Sequence, residues 1–270
     1  MKLWVLGSGS RGNAILVECG ETRLMIDAGF GPRILQKRLK PLGIEPESIT
    51  ACVVTHEHSD HIRGAARAAR RFHWPLLMTE GTYANSWLPM LGTPAATFRA
   101  GRTLEFPDLV VETFRTPHDA NEPIGLVVTS VNSGSKAAVL TDIGCATKTV
   151  REKIKDVDLL VIESNHDDEM LRTGPYPLSL QRRIASRVGH LSNADCADLV
   201  CSSVSSRLRQ IVLAHLSEEN NTPQLAYDHM RDAVKRTAFR GALLPSLQDS
   251  VVGPFVPSPH KSATQLSLSL

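Results

Sequence analysis

Seven consecutive residues, Thr-His-Glu-His-Ser-Asp-His at 55–61, limit what this chain can be more than any other feature. They follow the apolar run Ala-Cys-Val-Val (51–54), which reads as a strand, and lead into a helical stretch expected over Asp60–Phe72. Three imidazoles and two carboxylates therefore crowd one strand-to-helix turn. Imidazole and carboxylate are the groups that bind zinc and similar divalent ions. His56 and His58 alternate, so an extended turn can aim both at one ion. Asp60 and His61 are adjacent and lie past the turn, which suits a second ion. The string is not the helical HExxH motif, because the residue three after Glu57 is Asp60 and the histidine falls one later.

One turn supplies too few ligands for two ions, so others must come from distant segments. His118 follows the expected strand 109–113, Asp142 ends the run Ala-Ala-Val-Leu, and His215 ends the run Ile-Val-Leu-Ala. All three stand at strand ends, where loops converge and sites form.

Short apolar runs predict strands at 2–6, 14–19, 23–26, 51–54, 76–78, 109–113, 125–131, 137–140, 158–162 and 210–214. Helical stretches are expected at 32–40, 60–72, 147–154, 179–188, 193–202 and 223–235. Strands, then strands mixed with helices, occur twice over. That order predicts an α/β (α+β) sandwich of two mixed sheets with helices packed outside, in one domain over 1–256. The polar stretch 257–270, ending Ser-Leu-Ser-Leu-Ser-Leu, is expected to be a disordered tail.

Composition excludes several classes. Thirty Lys and Arg against 28 Asp and Glu leave a net charge of +2, which removes any whole-protein electrostatic argument for nucleic acid. The longest unbroken apolar runs are four residues, far below the roughly 20 that a membrane helix needs. No membrane association is expected. Five cysteines, odd in number and without a CxxC pair, argue against a disulfide framework. The expected location is the cytoplasm.

Other residues carry weaker signals. Gly7-Ser-Gly-Ser-Arg-Gly12 matches GxGxxG, but a strand-like segment follows where that motif needs a helix. The loop, with Ser8, Ser10 and Asn13, is either a backbone cradle for a phosphate or a plain hairpin. Asp27, after an apolar strand, either orients a ligand histidine or starts a turn. His166 either lines the site or is a loop histidine. Arg63, Arg67, Arg70 and Arg71 fall on one helical face. That stripe either follows a nucleic-acid backbone or is a solvated face. Arg182, Arg183 and Arg187 form a second basic group.

The His-x-His-x-Asp-His loop, His118, Asp142, His215 and Leu-Met-Ile-Asp-Ala-Gly (24–29) resemble the metallo-β-lactamase superfamily. Ser-Gly-Ser-Arg-Gly-Asn (8–13), Gly-His-Leu-Ser-Asn (189–193) and Ala-His-Leu-Ser-Glu-Glu-Asn-Asn (214–221) resemble its YycJ (WalJ) branch. The resemblance implies a four-layer αββα fold and two divalent ions, Zn2+ or Mn2+. His56, His58 and His118 would hold one ion, Asp60, His61 and His215 the other, and Asp142 would bridge them. A hydroxide held between the ions would be the nucleophile. It implies catalytic roles for Asp60 and Asp142, and for His190, which in related phosphodiesterases contacts the phosphate or protonates the leaving oxygen. The implied activity is a 5′→3′ DNA exonuclease, with single-stranded or 5′-phosphorylated DNA favoured; for that activity the basic stripe makes Arg67 a candidate strand contact. The alternatives are a small-molecule (cyclic) phosphodiesterase and, further off, a thioester, lactone or β-lactam hydrolase.

Overall fold

The computed structural model describes residues 1–203 and 205–257. Apart from Pro257, the tail expected over 257–270 lies outside the described residues.

Six strands come first: β1 (Lys2–Gly7), β2 (Ala14–Cys19), β3 (Thr22–Ile26), β4 (Ala51–Val53), β5 (Leu76–Thr79) and β6 (Ala96–Phe98). Seven more form a second sheet: β7 (Thr103–Glu105), β8 (Leu109–Arg115), β9 (Ile124–Ser130), β10 (Lys136–Leu140), β11 (Leu159–Glu163), β12 (Gln210–Ala214) and β13 (Ala242–Pro245). The last strand, β14 (Val252–Phe255), returns to pair antiparallel with β1. The sheet orders are β14-β1-β2-β3-β4-β5-β6 and β13-β12-β11-β10-β9-β8-β7. Read in those orders, the first sheet has three antiparallel steps followed by three parallel ones, and the second has three parallel steps followed by three antiparallel ones.

Alternation along the strands sorts the side chains into layers. Leu3, Val5, Val17 and Val53 of the first sheet meet Val111, Val128, Val139 and Val161 of the second in one buried layer. Trp4, Leu6, Leu16 and Met25 point the other way, onto α1 (Pro32–Leu39) and the helices that follow β4. α2 (Ser59–Ile62) and α3 (Ala65–Phe72) follow β4, and α4 (Glu80–Asn85) follows β5. On the far side, Ala138, Leu160, Ile162 and Leu213 pack with α5 (Lys148–Ile154), α8 (Asn193–Ser203) and α9 (Pro223–Val234). α6 (Asp168–Thr173) and α7 (Leu178–Ile184) lie between β11 and α8 in the chain. The result is the expected helix–sheet–sheet–helix sandwich. Strands buried on both faces read as continuous apolar runs, which is why β1, β10, β11 and β12 were legible.

Two expected helices differ. The stretch 60–72 is divided, with α2 ending at Ile62 and α3 starting at Ala65. Gly64 lies between them, and its N–H donates to Ala28 O at 2.7 Å. A Cβ there would lie 1.8 Å from Phe30 O, so only glycine lets the two segments touch. The helix expected over 179–188 ends at Ile184, because the chain folds back and His190 N–H donates to Ile184 O at 2.8 Å. Strands β6, β7, β13 and β14 had no counterpart in the sequence reading. They are short edge strands with several exposed residues, so no apolar run marks them. Among the described residues no helix is long and apolar enough to cross a membrane.

Candidate metal centre

The residues that follow β3, β4, β8, β10 and β12, with the last residue of β11, converge at one rim of the sandwich. His56, His58 and His118 can offer nitrogens that all lie within 4.8 Å of one another. Asp60, His61 and His215 form a second such group. Asp142 groups with His56 and His61 and stands between the two sets. Its Oδ2 is 3.0 Å from His61 Nε2 and its Oδ1 is 3.8 Å from His118 Nε2. Asp60 Oδ2 lies 3.1 Å from His215 Nε2 and 3.3 Å from His61 Nε2.

Close approach of the loops makes this possible. Asn13 N–H donates to Asp60 O at 2.8 Å, and Gly29 N–H donates to Asn13 O at 3.0 Å. A Cβ at Gly29 would fall 1.7 Å from Asp60 O. His215 itself adopts φ 53°, an uncommon conformation for a non-glycine residue.

The donor set fits divalent cations. His56 Nε2 is buried without a hydrogen-bond partner, and Asp142 Oδ2 makes no properly directed hydrogen bond. Burying such atoms costs free energy unless something pairs with them. Burial pushes the His56 pKa well below its ordinary value, helped by the neighbouring His61, which favours the neutral ring that a metal ion would need. Burial also opposes charge on His215, yet Asp142, Asp60 and Glu163 outweigh it and raise its pKa to about 10. His61 is raised in the same sense: burial opposes its charge, and Asp142, Asp60 and Asp27 prevail. Asp142 and Asp60 are held well below the usual carboxylate range, against burial, mainly by His215 and His61 for the first and by His61 for the second. The carboxylates thus demand positive charge, supplied by protons on these histidines or by metal ions in their place.

Behind these groups, further contacts orient the rings of His61, His118 and His215. Asp27 Oδ2 accepts from His61 Nδ1 at 2.7 Å, and its Oδ1 accepts from Thr55 N–H at 2.7 Å. His118 Nδ1 donates to Gly189 O at 3.0 Å, which leaves Nε2 to point at the site. Glu163, fully buried at the end of β11, was missed by the sequence reading. Its Oε1 accepts from His190 Nδ1 at 2.6 Å and from His215 Nδ1 at 2.9 Å. Its Oε2 accepts from the backbone N–H groups of Ile143 and Leu191. The signal that marks it is topological: β11 lies between β10 and β12, the strands that deliver Asp142 and His215.

A cleft of about 360 Å³ opens over these groups. Ser10, Asn165, Ser217 and His190 line it, together with Asp119 and a wall from α7. Several expected substrate contacts lie elsewhere. Ser8 and Asn13 are buried behind the ligands: His215 N–H donates to Ser8 Oγ, Ser8 Oγ–H donates to Asn13 Oδ1, and Asn13 Nδ2 reaches Asp60 Oδ2 at 3.2 Å. Of that loop Ser10 alone lines the cleft, and a strand, not a helix, follows. His166 is 2% exposed and does not line the cleft, because it bridges to Ser192 and only its neighbour Asn165 reaches the opening. Arg67 is exposed on α3 and also does not line the cleft. Arg63 donates to Arg11 O and Arg71 donates to Gln36 Oε1, so part of the stripe holds loops together.

Comparison with known proteins agrees with this geometry. The family model for the beta-lactamase superfamily domain matches residues 22–215. The chain is 36% identical over 239 residues to exodeoxyribonuclease YycJ of Bacillus anthracis, covering 87% of this chain and 89% of that one. It is 35% identical over 231 residues to exodeoxyribonuclease WalJ of Streptococcus pneumoniae, covering 84% and 85%. Among solved structures, the metallo-beta-lactamase fold protein YhfI of Bacillus subtilis superposes with a TM-score of 0.68 at 16% identity, over 93% of this chain and 99% of that one. The chain belongs to the metallo-β-lactamase superfamily, in its YycJ/WalJ branch.

Proposed function

We propose that the chain is a cytoplasmic, metal-dependent exodeoxyribonuclease that removes nucleotides from the 5′ end of a DNA strand, with single-stranded or 5′-phosphorylated ends favoured. The observation that carries the reading is the juxtaposition of seven ligand side chains with His190 at one cleft. The two relatives named as exodeoxyribonucleases support the substrate class. The five unpaired cysteines fit a reducing compartment.

His56, His58 and His118 would hold one divalent ion, Asp60, His61 and His215 a second, and Asp142 would serve both. A divalent ion held by these residues, zinc or manganese, would supply Lewis acidity and activate water as the nucleophile near neutral pH. His190 does the proton work on the leaving side. Its Nδ1 is fixed on Glu163, so Nε2 is the nitrogen left for a substrate oxygen. Burial opposes a charged ring, but Glu163 outweighs burial and raises the His190 pKa. A ring whose charged form is favoured in this way is suited to deliver a proton to the departing 3′ oxygen. Ser10, Asn165 and Ser217, which line the same cleft, offer hydrogen bonds to phosphate oxygens.

The test is digestion of a 5′-phosphorylated oligonucleotide by the metal-loaded protein, beside bis(p-nitrophenyl) phosphate and a cyclic dinucleotide. Stepwise release of mononucleotides from the 5′ end is expected. Turnover of the cyclic or small diester with no attack on the oligonucleotide would move the protein to the small-molecule phosphodiesterases.

A further inference from the structure

The cleft has two unlike walls. Ser10, Asn165 and Ser217 make a polar one. Leu180 and Ile184, four residues apart on one face of α7, line the same cleft, and Tyr176, just ahead of the helix, lines it beside them. Gln181 Nε2 donates to Tyr176 O at 2.9 Å and ties the tyrosine to the helix. All three side chains stay partly exposed. An open apolar stripe beside a carboxylate-rich centre has no use for binding an inorganic anion. It suits a ligand that is anionic at one end and flat and apolar at the other, as a nucleotide is.

The stripe is fixed to the metal ligands. His190 N–H donates to Ile184 O, Asp119 N–H donates to Val188 O, and His118 Nδ1 donates to Gly189 O. Arg183, on the same helix, donates from Nε to Asp119 Oδ2 at 2.6 Å. Asp119 Oδ1 is in turn 3.5 Å from His118 Nε2. The wall therefore holds a set position relative to the reacting phosphate.

Resting on the nuclease reading above, we propose that α7 is the nucleobase-holding wall: Tyr176 stacks on the base of the nucleotide being cleaved, and Leu180 and Ile184 pack against its edge. A ring face accepts all four bases, so this wall gives grip without sequence preference. Tyr176 is a specificity-determining residue for a base-bearing nucleotide over a bare phosphodiester.

The experiment pairs two substrates with three proteins. The substrates are a 5′-phosphorylated oligonucleotide and the same strand with a tetrahydrofuran abasic unit as its first residue. The proteins are wild type, Tyr176→Ala and Tyr176→Phe. Wild type should cleave the abasic strand about tenfold more slowly in kcat/KM, the order expected for one stacked base. Tyr176→Ala should lose about tenfold on the ordinary strand and show little further loss on the abasic one, while Tyr176→Phe, which keeps the ring, should behave as wild type. Cleavage by wild type that ignores the missing base, or a Tyr176→Ala loss equal on both strands, overturns the base-holding wall while leaving the nuclease reading intact. Failure of wild type to cleave either strand overturns both.

Discussion

Glu163 Oε1 lies 2.6 Å from His190 Nδ1, and the same oxygen lies 2.9 Å from His215 Nδ1. One buried carboxylate thus orients both the proposed proton donor and a proposed metal ligand. Glu163→Gln keeps the shape and removes the charge. It also turns an NH2 group toward N–H donors that a carboxylate accepts. Turnover should fall about 10- to 100-fold, the usual effect of losing an orienting partner. Stability should fall by about 1–3 kcal/mol, because a buried donor is left unpaired. Steady-state rates and urea unfolding read the two effects; wild-type values in both would remove Glu163 from the account.

His61 has its own carboxylate partner in Asp27, which adopts φ 63°. Asparagine tolerates that conformation better than alanine does. Asp27→Asn therefore isolates the lost charge from backbone strain. Metal affinity should weaken about 10- to 100-fold, read by equilibrium dialysis against a competing chelator. Unchanged affinity would mean that Asp27 only shapes the turn at Thr55.

Metal uptake should displace protons. In the metal-free protein His215 titrates at about 10, above the roughly 6.5 of an unfolded histidine. Its bound proton stabilises the metal-free fold fully below about pH 6.5, and that contribution disappears as pH rises through about 10. A metal needs the neutral ring. Affinity should therefore tighten with rising pH across that window, by about tenfold per unit for one proton. Calorimetric titrations at pH 8 in two buffers of different ionisation enthalpy should show about one or more protons released per chain. Zero release would contradict the charge balance described for the centre.

The sequence carried the metal centre further than the substrate site, for a physical reason. His56, His58, Asp60 and His61 sit in one turn, so their spacing alone brings them together. His118, Asp142 and His215 follow apolar strands whose double burial made them conspicuous. Glu163 is a single acid at the end of such a run, and nothing local separates it from a solvent-facing strand end. Its importance comes from β11 lying between β10 and β12, which is a tertiary fact. The loop of Ser8 and Asn13 reads in the sequence as either a phosphate cradle or a plain hairpin, because small polar residues in a glycine loop suit both. The close approach of Gly29 to Asp60 places them behind the ligands instead. Arg67 was placed on a continuous helix from Asp60, and the contact at Gly64 breaks that helix.

If one cleft takes two ions with Asp142 serving both, metal content and activity must rise together. Elemental analysis of chelator-stripped protein reloaded with manganese or zinc, with exonuclease activity followed at each step, measures this. Activity should rise with the second ion and reach its maximum at about two ions per chain, and Asp142→Ala should lose both occupancy and activity, as expected for a ligand shared by two metals. Full activity with at most one ion per chain, even in excess metal, would contradict the account.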